Sequence, residues 1–314
     1  MRIGVDLGGT KIEVIALGDG GDVLLRQRVP TPQGDYGATV KAVADLVDDA
    51  MEKLGAGDAA IRIGIGIPGA ESRVSGLIKN ANSTCLIGRP LKRDLEAALR
   101  REVRIANDAN CFALSEAVDG AGAGAPVVFG VILGTGVGGG IVVDGRVLTG
   151  ANAIAGEWGH NPLAGEHHHE TCYCGRRGCI ELYLSGPGLA RDHHRAVGKL
   201  ASAVRVDTVP GASAQGHNFP AIEIARRAAL GDADCEATLQ RYETRLARAL
   251  AQVINILDPD VIVLGGGLSN IDRLYANVPR LWAEHVFSDH VATKLLKHRH
   301  GDSSGVRGAA WLWN

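Results

Sequence analysis

No surplus of either charge marks this chain: 33 lysines and arginines face 35 aspartates and glutamates, for a formal net charge of −2. Without a global field to gather nucleic acid or an anionic membrane, any recognition of phosphate has to be local. A secretion signal is lacking too. The N-terminus, MRIGVDLGGT, enters a strand-like run at once, with neither a charged n-region nor a long apolar h-region, and a cytoplasmic location is expected. No long uninterrupted apolar run occurs. The stretch from Val127 to Val143 is broken by Gly130, Gly134, Thr135, Gly136 and Gly138 to Gly140, so it reads as two strands around a glycine loop and not as a membrane span. The P-loop pattern GxxxxGK[ST] ahead of a helix is also absent, which removes that route to a nucleotide.

What is present fits a folded protein with a ligand cleft. The 314 residues, 46% hydrophobic and 22% charged, can bury a sizeable core, and domains of about 100–200 residues make two lobes the expectation. Glycine is the outlier at 43 residues, well above the usual ~7%, and it clusters in particular loops, which points to backbone approaching ligands. Three of the six cysteines, Cys172, Cys174 and Cys179, lie close together. In a reducing compartment such a cluster argues for metal over disulfides. Cys85, Cys111 and Cys235 stand alone and read as small, partly buried side chains.

The chain opens with a strand from Ile3 to Leu7, a Gly8-Gly9 turn and a strand from Lys11 to Leu17, a hairpin. A third strand, Asp22 to Val29, stops at Pro30. Apolar positions from Tyr36 through Val40, Val43, Val47 and Leu54 predict an amphipathic helix. A strand at Ile61–Ile67, a helix after Pro90 and a strand from Val103 to Ala106 lead into Asn107-Asp108, and a helix from Ala109 to Val118 follows. Asp108 is thus placed at the C-terminal end of a strand, where open α/β sheets hold ligands. A second strand, glycine loop and strand from Val127 echoes the first hairpin and suggests two related halves across a cleft. The stretch from Leu200 to Pro220 reads as a surface excursion. Leu239 to Leu257 predicts a long helix, Val261 to Leu264 a buried strand running into Gly265-Gly266-Gly267, and Val306 to Trp313 a short terminal helix docked on the first half.

Three glycine loops carry candidate nucleotide chemistry. The first, Asp6-Leu7-Gly8-Gly9-Thr10-Lys11, lets backbone approach an anion, with a hydroxyl and a cation from Thr10 and Lys11 and with Asp6 placed to hold a metal-bound water. An ordinary Gly-Gly hairpin turn is the alternative. The second, Gly134-Thr135-Gly136-Val137-Gly138-Gly139-Gly140, holds more glycine than a turn needs. Each glycine costs a strand roughly 0.5–1 kcal/mol relative to alanine, which a polyphosphate lying on bare amides would offset. The third, Gly265 to Gly267, could pack flat on an adenine ring or simply turn tightly. Asp108 suits the base that an acceptor alcohol needs in phosphoryl transfer, and it also suits a helix N-cap. His160, Cys172, Cys174 and Cys179 supply the four soft ligands of a closed structural zinc site. His167, His168 and His169 lie in a hydrophilic stretch between those ligands and read as exposed loop residues.

Together the three loops resemble the phosphate-1, phosphate-2 and adenosine motifs of the actin–hexokinase ATPase superfamily. The segment Gly156-Glu157-Trp158-Gly159-His160 with Cys172 to Glu181 resembles the zinc signature of the ROK family of sugar kinases and sugar-responsive repressors. The likeness runs from Asp6 to Ala309. It implies an α/β, two-lobed actin-like ATPase (ribonuclease H-like) fold, with residues 1–119 and the terminal helix 303–314 forming a smaller lobe. Residues 120–302 would form a larger lobe carrying the zinc loop, with the ligand cleft between the two. It implies ATP, Mg2+ and a structural Zn2+, and Asn82, Asn107, Asp108, Glu157, His160 and Glu181 as sugar contacts, with His160 using one ring nitrogen for metal and the other for sugar. Within the family the chain looks most similar to the fructokinases, in Lys79 to Thr84, Asn107 to Cys111 and Asn255 to Asp260. It departs at Cys85, where an aromatic is expected. The expected reaction is ATP-dependent phosphorylation of D-fructose, with mannose as a further substrate. Glucose or an N-acetylhexosamine is the alternative within the class, and a non-catalytic sugar-sensing regulator lies further off. A repressor would carry a winged helix ahead of the first strand, which here begins at Arg2 or Ile3. A homodimer, without nucleic acid or membrane partners, is expected from the resemblance.

Overall fold

A computed structural model of the protein describes residues 1–56, 61–166, 170–197 and 219–313. The histidines at 167–169 and most of the stretch read as a surface excursion lie outside the described residues. Strands β1 (Arg2–Leu7), β2 (Lys11–Leu17), β3 (Val23–Pro30) and β4 (Arg62–Ile67) open the chain, with helix α1 (Tyr36–Lys53) before β4. The Asp35 side chain caps α1 by accepting from the Ala38 amide at 2.9 Å. Two short strands, β5 (Ala70–Glu71) and β6 (Ile78–Lys79), then pair with each other. Helix α2 (Leu91–Leu99), β7 (Val103–Asn107) and α3 (Asp108–Val118) complete this half.

The second half follows with β8 (Val127–Leu133), β9 (Val137–Val143), β10 (Arg146–Val147), α4 (Glu181–Leu184), α5 (Gly186–Ala196) and α6 (Phe219–Ala229). After them come α7 (Ala233–Leu257), β11 (Val261–Gly265), α8 (Arg273–Trp282), β12 (Lys294–Lys297) and α9 (Ser304–Ala310). Sequence periodicity leaves the short strands β5, β6, β10 and β12 and the helices α4, α5, α6 and α8 unread, and for α8 and β12 the reason is identifiable. Helix α8 contains Pro279, which ordinarily breaks a helix, while β12 is four residues long with lysine at each end, as suits a short sheet edge.

The two five-stranded sheets have the orders β3-β2-β1-β4-β7 and β10-β9-β8-β11-β12. In each, three strands form an antiparallel meander and two more join in parallel. The hairpin echo seen in the sequence therefore extends to whole sheets.

Helices α3 and α9 occupy equivalent places, each after the last strand of its sheet, and they pack against one another. Helix α9 also lies on β1 and β4, and α3 lies on β8 and β9, so the helix ending each half covers the sheet of the other. The approach is close enough to require glycine. A Cβ at Gly64 would stand 1.9 Å from the Ala309 carbonyl oxygen, and one at Gly308 would stand 1.6 Å from that of Cys111. The same crossing is tied by Glu116 of α3, which accepts from the Ser304 hydroxyl at 2.8 Å and the Arg299 amide at 3.0 Å.

Candidate active site

The parallel strands β1, β4 and β7 end together, and from those ends emerge the Asp6 loop, Pro68-Gly69 and Asn107-Asp108. The first loop is held in shape by its own backbone and by Thr31. The Gly8 amide donates to the Lys11 carbonyl at 3.0 Å, and the Thr31 hydroxyl donates to the Gly8 carbonyl at 2.7 Å. This leaves Gly9, Thr10 and Lys11 exposed.

Asp6 pairs across the sheet with Glu13, whose carboxylate is buried beneath Arg26 and Arg28. Burial first, then the charges of Asp108 and Glu13, push the Asp6 carboxyl up to about 7. Asp108 opens α3. The helix cap is Asn107, whose Oδ1 accepts from the Ala109 amide at 2.9 Å, while Asp108 Oδ1 meets the same amide at 2.8 Å. Asn107 Nδ2 donates to the Gly69 carbonyl at 3.2 Å, which locks the β4 and β7 ends together. Asp108 touches solvent at the cleft yet is surrounded by protein, and desolvation, reinforced by Glu157, raises its pKa. Two crowded carboxylates with raised pKa values form a place where a divalent cation would relieve repulsion.

The second loop is shorter than the glycine run that announced it. Gly134, Thr135 and Gly136 make the turn, with the Gly134 amide donating to the Gly136 carbonyl at 3.0 Å. Gly138 and Gly139 lie inside β9. There, glycine serves packing: a Cβ at Gly138 would come within 3.2 Å of Ala109 Cβ, and one at Gly139 within 2.8 Å of the Gly156 carbonyl oxygen. Close packing thus accounts for glycine at 138 and 139, while the turn itself consists of Gly134 to Gly136. In the third loop Gly265 ends β11, and a Cβ there would strike the Phe112 ring at 2.5 Å. Gly266, at φ 80°, and Gly267 are exposed. Because Gly265 pairs with Ile132, the second and third loops lie side by side.

Glu157 is carried by a loop fastened to β9. Trp158 Nε1 donates to the Gly138 carbonyl at 3.1 Å, and its ring meets Phe129 edge-on at 5.6 Å. His160, Cys172, Cys174 and Cys179 come together with their ligand atoms within 4.8 Å of one another. Cys174 and Cys179 sulfurs are 3.7 Å apart, and Cys172 Sγ is 3.7 Å from His160 Nδ1. A tetrahedral zinc with sulfur ligands at ~2.3 Å has edges of about 3.8 Å, so the cage has the size this metal needs. Burial and the neighbouring thiols push Cys179 up to about 12, so three thiolates this close together would form only with a cation among them.

Glu181 leaves the same cysteine-bearing loop, and its Oε2 accepts from the Val137 amide at 2.9 Å. Charge links these groups in a chain, with Asp108 acting on Asp6, Glu157 acting on Asp108, and His160 and Glu157 acting on Glu181. Asn82 is exposed, and the hydroxyl of its neighbour Ser83 lies 3.6 Å from the place of a Cβ on Gly9 of the first loop. One residue escaped sequence reasoning. The Tyr173 hydroxyl is 3.2 Å from His160 Nε2, so the nitrogen expected to meet sugar already has a partner. Its position between Cys172 and Cys174 was the available signal.

The whole of this arrangement has relatives. Residues 2–314 match the ROK family. The chain belongs to the ROK family. It is 40% identical over 320 residues to an N-acetyl-D-glucosamine kinase of Photobacterium profundum, covering 99% of each chain. It is 38% identical to an N-acetyl-D-glucosamine kinase of Yersinia pseudotuberculosis, covering 99% of this chain and 98% of that one. Among solved structures it resembles the ROK hexokinase from Thermus thermophilus, with a TM-score of 0.82 and 30% identity over 99% of this chain and 97% of that one. A ROK family glucokinase from Streptomyces griseus, in complex with glucose and AMPPNP, gives a TM-score of 0.74 and 28% identity over 98% and 97%. The paired sheets of this ROK protein are the actin-like ATPase fold, and the protein is a ROK sugar kinase. Among the described residues, no helix is long and apolar enough to cross a membrane.

Proposed function

We propose that this ROK kinase transfers the γ-phosphoryl group of ATP to the primary hydroxyl of a hexose, with Asp108 as the base. The observation that carries the reading is the meeting of Asp6 and Asp108 at the ends of parallel strands, beside the exposed turn Gly9 to Lys11. Asp108 takes the hydroxyl proton as the sugar oxygen bonds to phosphorus and the β–γ bridging bond breaks, its electron pair leaving with ADP. Gly8 to Lys11 on one sheet and Gly134 to Gly136 on the other hold the triphosphate, and Gly266 and Gly267 lie against the nucleoside. Mg2+, when bound, would neutralise phosphate charge, and Asp6 with Asp108 would be the residues near it. Glu157, Asn107, Asn82 and the free Oε1 of Glu181 orient the sugar. His160 Nδ1 and the three cysteines hold Zn2+, which keeps the Glu157 and Glu181 segments in register.

Two sugars have specific support. The 40% and 38% identical relatives are N-acetyl-D-glucosamine kinases, which favours an N-acetylhexosamine over the fructose read from the sequence. Fructose is retained on the stretches Lys79 to Thr84, Asn107 to Cys111 and Asn255 to Asp260. A coupled ADP-release assay with N-acetylglucosamine, fructose, mannose and glucose, with and without Mg2+, separates them by kcat/KM. Turnover of none of the four would overturn the kinase reading.

A further inference from the structure

The edge strands of the two sheets, β7 and β10, both line a cavity of about 630 Å³. Asn107, the cap of α3, contributes one wall together with Asn110 and Leu114 of that helix; at spacings of three and four the three lie on one side. Trp311 and Leu312 close another side, and Asp108 is not part of the lining. Small-molecule sites typically measure about 300–1,000 Å³, so the space is adequate for a ligand.

Its charge is out of keeping with the rest of the molecule. Four cations, Arg73, Lys92, Arg104 and Arg146, meet one carboxylate, Glu71, in a chain of net charge −2. Two of the four are engaged: Arg104 donates to the Leu312 carbonyl at 2.8 Å and lies over the Trp313 ring, and Lys92 is 3.9 Å from Glu96. Arg73 and Arg146 have no ion pair among the described residues. Guanidinium groups match phosphate oxygens in geometry as well as charge. Asn107, Asn110 and Thr149 also line the cavity, and amide and hydroxyl side chains can exchange hydrogen bonds with the hydroxyl groups of a ligand. Free phosphate serves only the cations. A phosphate ester that also carries hydroxyls serves both.

We propose that this cavity is a second ligand site, distinct from the catalytic cleft, which binds a sugar phosphate and reports its occupancy to the base. The route is short. Asn107 lines the cavity, caps α3 and bonds Gly69, so a ligand that shifts it shifts the helix start from which Asp108 projects. The inference rests on the kinase reading only for the choice of probe.

Titration calorimetry with fructose 6-phosphate and, separately, N-acetylglucosamine 6-phosphate on the full chain tests it, alongside Arg73→Glu/Arg146→Glu and the milder Arg73→Gln/Arg146→Gln. Both arginines are exposed, and melting curves check that the variants fold. The expected result is binding by the wild type that weakens about tenfold or more in the charge-reversed protein and by less in the glutamine protein. Basal kcat and KM for sugar and ATP stay unchanged. Equal affinity in all three proteins would assign the binding to the catalytic cleft and overturn the second site, as would no binding by the wild type. Arginine-dependent binding without sugar phosphorylation would instead leave the cavity standing and remove the kinase reading.

Discussion

Glu181 Oε2 accepts the Val137 amide hydrogen at 2.9 Å, joining the segment that follows Cys179, last of the clustered cysteines, to the first residue of β9. A Cβ on Gly136 would lie 2.6 Å from the same oxygen, so glycine at 136 is what admits the carboxylate. The bond makes the metal loop and the turn at Gly134 to Gly136 one mechanical unit.

Glu181→Ala leaves the Val137 amide without its acceptor, and a stability loss of about 1–3 kcal/mol is expected in urea titrations. Glu181→Gln keeps an acceptor and should recover most of it. If the alanine and glutamine proteins unfold at the same urea concentration, the bond does not hold the two loops together.

Asp108→Ala should lower sugar phosphorylation by about 10²–10⁴-fold or more, the usual worth of a positioned base. Folding and metal content should be retained, because Asn107 still caps α3. Near-normal turnover measured by ADP release would exclude Asp108 from proton transfer.

Cys174→Ser removes one corner of the cage and should lose bound zinc and thermal stability together, as should prolonged chelation of the wild type. Elemental analysis with melting curves reads both. Stoichiometric zinc retained by the variant would contradict the ligand set.

Asp6 carries its proton up to about 7 in the folded protein, whereas in the unfolded chain it ionises near the ordinary carboxylate value. Between those two values the unfolded state binds fewer protons, so this residue makes stability fall as pH rises toward 7 and contributes no further change above it. Burial raises Asp108 in the same direction. Denaturation of the metal-free protein at a series of pH values should therefore show a decline that Asp6→Asn reduces. An unchanged profile in that variant would show that Asp6 is not held protonated.

Much of this protein was legible along the chain because its signals are local. His160 and the three cysteines read as a set of metal ligands from their type and spacing, the strands that carry Asp6 and lead to Asn107 read as strands, and α1 and α7 read from their apolar stripes. Elements whose local pattern conflicts with their state were missed: Pro279 hid α8, and the flanking lysines hid β12. Tyr173 drew no reading because its bond to His160 exists only once the loop has closed.

Sequence by itself determined which residues could bind metal and phosphate, since those capacities belong to side-chain type and short-range spacing. Only the tertiary structure decided which glycines are required by packing. Gly64, Gly139 and Gly308 are required by carbonyl groups of Ala309, Gly156 and Cys111. The same holds for the cationic cavity, whose arginines come from separate strands and turns. The physical reason is shared: close approach and summed charge depend on distances between residues far apart in the chain, which no local pattern records.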